Sequence, residues 1–239
     1  MSTEAYDALA PHYREYAANR AVYLSAVDDF IVEYGSRGGL LLDVGAGDGV
    51  RGMGLARRLA ASSVVLCEPS PSMAALCRTR GTQEVWEVEA QCLPDSEHRF
   101  DVITCLWNVL GHLPEAGARV LALKAMARLL ARSGSLFFDV NNRHNARSYG
   151  RVRVAGRRIL DAIAPDERRG DTAYDWHVAG QAIPSKGHLF TPAECERLIT
   201  LSGLVCMNRM AIDYVTGARS DSPFEGQLLF QVCTNTEAA

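Results

Sequence analysis

The segment LLDVGAGDGVRG (41–52) sets Asp43 and Asp48 among Gly45, Gly47, Gly49 and Gly52. Glycines behind an apolar run let a backbone turn sharply and come close to a ligand, with a helix N-terminus just beyond. Read from Gly47, the spacing is the G-x-G-x-x-G that suits a dinucleotide. It begins two residues late for that purpose, and two carboxylates stand where a pyrophosphate would lie. Negative charge there suits a cationic ligand group. Glu68 ends the run VVLCE, where an acid accepts hydrogen bonds from both hydroxyls of a ribose, and this fits a nucleoside of either kind. On these residues alone both ligands stay open.

A second set of side chains could act on an acceptor. Asn108 and His112 stand four apart in LWNVLGHL, which puts them on one face if that turn is helical. Asn108 could accept from an amine or orient an oxygen. His112 could take a proton, and it could equally be a buried histidine at a helix start. Asn141, Asn142, Arg143 and His144 form a dense polar cluster in DVNNRHN, with His144 the further proton carrier. Six arginines fall between 143 and 158 with no acid among them. Such a run can bind an anion, but more often it is a solvated face. His177, His188 and Tyr214 are further polar candidates whose places the sequence does not fix. No His, Cys or acidic spacing suits a metal, so metal-free chemistry is expected.

The elements that must position these residues alternate. Apolar, β-branched runs at 39–44, 63–68, 84–89, 100–107 and 134–140 are separated by helical patterns at 50–61, 71–80 and 115–134. Gly134 is expected to cap the last of these helices. The alternation implies a parallel sheet with helices on both faces and a ligand at the carboxyl ends of the strands. Residues 3–35 read as two helices, the first capped by Ser2 or Thr3. TPAECERLITLSG (191–203) reads as a helix with Thr191 and Glu194 as a capping box, followed by two strands that close the sheet as an antiparallel hairpin. The weakly periodic stretch 145–188 reads as an insertion over the active-site edge. The expected organisation is one domain over 1–239: a helical cap (1–37), a ligand-binding half (38–144), the insertion (145–188) and a closing helix with its hairpin (189–239).

The 239 residues are 48% hydrophobic and 22% charged, an ordinary globular mixture, and the net charge of −3 offers no bulk attraction to nucleic acid or an anionic membrane. Seven cysteines without a C-x-x-C spacing read as reduced core residues. The N-terminal stretch has no apolar signal core and no run is long enough to span a membrane, so a cytoplasmic monomer or homodimer is expected.

Taken together, these motifs resemble the class I S-adenosylmethionine-dependent methyltransferase family over about 40–234. LLDVGAGDG is similar to its first motif, with Asp43, Gly45, Gly47 and Gly49 in register. LCEPS matches its acidic ribose-binding position at Glu68. VEAQCLPDSEHRFD resembles the stretch often written D-A-x-x-L-P…F-D, with Glu89 in place of the usual aspartate. The resemblance implies a Rossmann-like α/β fold with a seven-stranded sheet, mostly parallel, and S-adenosyl-L-methionine as cofactor, released as S-adenosyl-L-homocysteine. It implies cofactor contacts from Asp43, Gly45, Ala46, Gly47, Gly49, Glu68, Pro69, Met73, Glu89, Ala90, Gln91, Cys92, Leu106 and Trp107. The opening YDALAPHY is similar to the cap of many small-molecule members, which implies Tyr13 near the sulfonium and Arg20 on the cofactor carboxylate. The expected reaction is methyl transfer to a nitrogen or oxygen of a small molecule, in specialised metabolism, with Asn108, His112 and His144 as acceptor-side candidates. RNA or protein methylation, a silent cofactor-binding protein and, more distantly, a nicotinamide dehydrogenase are the alternatives.

Overall fold

The structure is a computed structural model that describes residues 3–82 and 84–235; Ser2, one of the two expected caps, lies outside them. The chain begins with three helical segments where two were expected, α1 (Thr3–Leu9), α2 (Tyr13–Ala18) and α3 (Ala21–Tyr34). Pro11 lies in the tight turn of Ala10–His12 that separates the first two. The α/β repeat follows as β1 (Leu40–Val44), α4 (Val50–Arg58), β2 (Ser63–Cys67), α5 (Pro71–Arg78), β3 (Glu84–Trp86), β4 (Phe100–Cys105), α6 (Ala116–Leu129) and β5 (Leu130–Val140). After it come α7 (Ala146–Tyr149), α8 (Arg151–Ile163), β6 (Asp171–Val178), β7 (Gln181–His188), α9 (Pro192–Leu201), β8 (Leu204–Ile212), β9 (Arg219–Ser220) and β10 (Gln227–Thr234).

The sheet runs β3-β2-β1-β4-β5-β10-β8-β9. Its first five strands are parallel, and β10 enters antiparallel between β5 and β8. Seven strands carry the sheet, as the resemblance implies, and the two-residue β9 adds an eighth at the edge. Side chains alternate between faces, as the strand period requires. Leu41 packs with Val27, Phe30 and Leu55 of α3 and α4, while Leu42 packs with Leu123 and Met126 of α6 and Leu198 of α9. Strand order reverses between β1 and β4, so the helices that follow these two strands cover opposite faces and the loops at their carboxyl ends part to leave a crevice.

Two expectations are corrected. Gly134 does not cap a helix. The helix ends at Leu129, and Gly134 lies inside β5, where a Cβ would come 2.6 Å from the Phe100 carbonyl oxygen as the two strands shift register. The 145–188 stretch holds regular elements after all, two helices and the β6–β7 hairpin, which pairs only with itself. Within it α8 turns Val152, Ile159 and Ile163 to solvent and buries only Val154. The hairpin instead buries Trp176, Val178 and Ile183 against Ala5, Leu9 and Met73, a small apolar cluster of its own beneath the cap.

Thr191 caps α9 as read, its hydroxyl accepting from the Glu194 amide at 3.1 Å. The Glu194 carboxylate does not complete the box; it faces His188 at 2.9 Å instead. No helix among the described residues is long and apolar enough to cross a membrane.

Candidate active site

A crevice opens at the β1/β4 divide, walled by the loops after these strands and by the N-terminal helices. Gly45, Gly47 and Gly49 all take positive φ, at 74°, 57° and 77°, which L side chains rarely adopt. All three also have a neighbour within 3.0 Å of where a Cβ would stand: Gly45 a Val109 methyl, Gly47 the Tyr13 hydroxyl and Gly49 a Leu66 methyl. Gly49 is the N-cap position of α4, turned away from the crevice toward Leu66. Glu68 closes the loop from the next strand. Its carboxylate accepts the Gly47 amide at 2.8 Å and the Ser70 amide at 3.0 Å, and burial pushes its pKa up to about 7 despite those two bonds.

Not every acid of the motif faces the ligand space. Asp43 is buried beneath the loop, takes a hydrogen bond from the Thr104 hydroxyl at 2.7 Å, and is pushed by burial up to about 6. Asp48 is held by Arg14 at 2.8 Å and Arg80 at 3.4 Å, so its charge is spent on two guanidinium groups. The wall itself carries Glu68 and Glu89 and, among the described residues, no lysine or arginine.

The opposite wall is aromatic. Tyr6 of α1 and Tyr13 of α2 line it with Trp107, and Tyr16 stacks on Trp107 at 5.3 Å between ring centres. Trp176, from the hairpin, meets Tyr6 edge-on at 5.0 Å. Burial raises the Tyr6 and Tyr13 hydroxyls well above the ordinary tyrosine value, so both stay protonated. Tyr6, Tyr16 and Trp176 were missed in the sequence. Tyr6 had a signal, since it opens the YDALAPHY stretch that ends in Tyr13, whereas Trp176 arrives from a hairpin with no motif.

After β4 the chain makes a turn through Trp107 and Asn108, both at positive φ, and then a tight 3-10 turn over Val109–His112. The stretch is not α-helical, so Asn108 and His112 do not share a face as expected. The Asn108 side chain turns back to accept the Asn141 amide at 2.9 Å. His112 lines the crevice, with Nδ1 at 3.0 Å from the Lys186 carbonyl oxygen. A carbonyl can only accept, so Nδ1 carries the hydrogen and Nε2 the lone pair. Burial pushes the His112 pKa down to about 4, which keeps the ring neutral.

Of the residues singled out in the sequence, Tyr13, Gly45, Gly47, Glu68, Pro69, Glu89, Ala90, Leu106, Trp107 and His112 meet in this wall. Others stand outside it. Arg20 lies over the Tyr214 ring at 4.6 Å, Ala46 and Met73 are packed in apolar clusters, Gln91 bonds to Glu89 and Cys92 is exposed. His144 is drawn away by Asp161 at 2.9 Å, which also holds Arg143. The arginine run has mixed fates: Arg147 reaches Glu225 at 3.1 Å, and Arg157 and Arg158 lie over Tyr149 and Phe224. His177 is exposed, His188 is buried between Asp171 and Glu194, and the Tyr214 hydroxyl accepts from the Trp107 indole at 2.7 Å.

Comparison with known proteins agrees with this geometry. Residues 41–134 match the family described as a methyltransferase domain. A ubiquinone biosynthesis O-methyltransferase of Neisseria meningitidis serogroup C is 29% identical over 186 residues, covering 74% of this chain and 68% of that protein. One of the same name from Alkalilimnicola ehrlichii is 35% identical over 184 residues, covering 75% and 66%. The chain belongs to the class I S-adenosylmethionine-dependent methyltransferases. Solved methyltransferase structures share the fold. A possible histamine N-methyltransferase of Thermotoga maritima has a TM-score of 0.64 at 16% identity, covering 97% of this chain and 99% of that one. An amino pentose methyltransferase of Micromonospora echinaspora has 0.59 at 18%, covering 92% and 95%.

The cofactor of this methyltransferase is S-adenosylmethionine. The crevice fits it: two carboxylates and aromatic faces suit its sulfonium and ammonium cations, whereas a diphosphate would find no counter-charge in the wall.

Proposed function

We propose that this methyltransferase transfers the methyl group to the oxygen of a small, flat acceptor of the phenol or catechol type. The single observation that carries the reading is His112, a neutral imidazole in the crevice wall whose Nδ1–H is tied to the Lys186 carbonyl, leaving Nε2 as the free proton acceptor. A hydroxyl must lose its proton to attack carbon, and a positioned base supplies that at a cost lower than water can. The surrounding rings of Tyr6, Tyr13 and Trp107 offer flat apolar faces to an aromatic acceptor and exclude water, and Trp176 packs behind Tyr6 and His112. The relatives in Neisseria meningitidis and Alkalilimnicola ehrlichii, named as O-methyltransferases, support the same reading.

S-Adenosylmethionine supplies the methyl group on a cationic sulfur, already an excellent leaving group. In this reading Glu68 accepts from the ribose hydroxyls, Glu89 and Ala90 border the adenine, and the Tyr13 and Trp107 faces border the sulfonium. His112 takes the acceptor proton. Asn108 and His144, named beside it from the sequence, have no part: one holds the Asn141 amide and the other pairs with Asp161.

The test is a panel of simple catechols, phenols and primary amines with S-adenosylmethionine, read by mass spectrometry, with wild-type protein and His112→Gln. O-Methylated catechol, and a kcat lowered about 10²–10⁴-fold in the variant, is the expected result. Methylation of amines alone, indifferent to His112→Gln, overturns it.

A further inference from the structure

Trp107 and Asn108 are consecutive residues at φ 62° and 64°, a left-handed pair without a glycine. Such a conformation is strained for a residue with a side chain and persists only where its surroundings hold it. The hold is visible. The Asp139 carboxylate, on β5, accepts the backbone amides of both Trp107 and Asn108, and the Tyr23 hydroxyl of α3 donates to the same carboxylate. The Trp107 indole is fixed separately by the Tyr214 hydroxyl, and the Asn108 side-chain oxygen by the Asn141 backbone amide. Gly111 completes the packing, since any side chain there would strike the Asn108 amide. Asp139 is buried and faces no direct cationic partner within ion-pair distance among the described residues, so three donated hydrogen bonds are what it has for its charge.

We propose that Asp139 is a positioning residue for methyl transfer: with Tyr23 it holds the Trp107–Asn108 turn in the left-handed form that sets Trp107 and His112 in the crevice wall. The inference rests on the reading of His112 as the acceptor-side base. An ionised carboxylate can take both amides and the phenol at once; a protonated one keeps too few acceptor sites and becomes a donor itself. The groups that face Asp139 are Tyr23 of α3, Arg51 of α4, Cys105 of β4 and Tyr214 beyond β8. Burial raises its pKa, while Arg51, Tyr23 and the two amides hold it down. Removal of the Tyr23 hydroxyl therefore lets the turn go at a higher pH than in the native protein.

Tyr23→Phe and Asp139→Asn test this with three readouts. Amide hydrogen exchange of the 105–113 segment is measured by mass spectrometry, S-adenosylhomocysteine affinity by calorimetry, and kcat with 3,4-dihydroxybenzoate as acceptor probe across pH 5–9. Both variants are expected to exchange at least tenfold faster in this segment alone. Tyr23→Phe is expected to lower kcat about tenfold with the donor KM within threefold, and to move the acid limb of its pH profile upward. Unchanged exchange and kcat in both folded variants overturns the proposal. So does a pH-independent loss that follows a lowered melting temperature with exchange raised throughout the sheet. The exchange readout needs no acceptor, so a wrong phenol assignment shows itself as absent wild-type turnover with the exchange pattern still decisive.

Discussion

Gly47 and Tyr13 are packed so tightly that a Cβ on the glycine would stand 2.6 Å from the phenol oxygen. The glycine loop is thus shaped by the cap helix above it as well as by the ligand. Gly47→Ala adds that collision to an unfavourable φ of 57°, a strain of about 1–3 kcal/mol. The expected outcome is a lower melting temperature and S-adenosylhomocysteine binding at least tenfold weaker by calorimetry. Wild-type affinity in a stable Gly47→Ala protein would show the close approach to be dispensable.

Glu68 makes cofactor binding depend on pH. Its pKa is raised from the ordinary glutamate value to about 7 by burial. Hydroxyl donors favour the ionised form, so binding releases a proton and affinity should strengthen as pH rises, levelling off above about 7. In the free protein the sign is opposite: the raised carboxyl favours folding at low pH, and that contribution is lost as pH climbs through about 7. Calorimetry from pH 5.5 to 8.5 checks this, with Glu68→Gln expected to flatten the dependence and weaken binding by about 1–3 kcal/mol.

His112 has the reverse sign. Its pKa is pushed below the usual histidine value to about 4, so between roughly 4 and 6.5 the unfolded chain binds a proton that the folded one refuses. Stability should fall as pH drops through that window, by at most about 3 kcal/mol, and be constant above it. Urea unfolding at several pH values reads this, and His112→Gln should lose that part of the slope. For the same reason kcat should show no inflection near 6.5 attributable to His112.

An ionic knot outside the crevice carries a stability prediction. Arg119, His188 and Glu194 are buried together, with His188 at 2.7 Å from Asp171 and 2.9 Å from Glu194 and Arg119 at 3.5 Å from Glu194. Glu194→Ala leaves the buried Arg119 guanidinium with Asp171 at 3.8 Å as its remaining carboxylate, and breaking a buried pair costs up to about 3–5 kcal/mol. Chemical denaturation should show a loss of that order, while Glu196→Ala, which removes an exposed pair with Arg209, should cost under about 1 kcal/mol.

The sequence by itself determined the alternation of strands and helices over 39–140, the glycine turn and the acid after the second strand. These are local matters: apolar periodicity sets the elements, and glycine takes the positive φ values of 45, 47 and 49 without the strain a side chain would add. It was also enough to name Tyr13, Glu68, Trp107 and His112. It misjudged Asp48, whose charge two arginines far along the chain absorb, and His144, which Asp161 draws aside. Only the tertiary structure decided these, and only it brought Trp176 to the aromatic wall, tied the His112 ring to the Lys186 carbonyl and set Asp139 under a strained turn. Each of those facts is a meeting of residues dozens of positions apart. Spacing along a chain carries no record of which distant donor will face which acceptor; packing of the cap, the sheet and the hairpin supplies it.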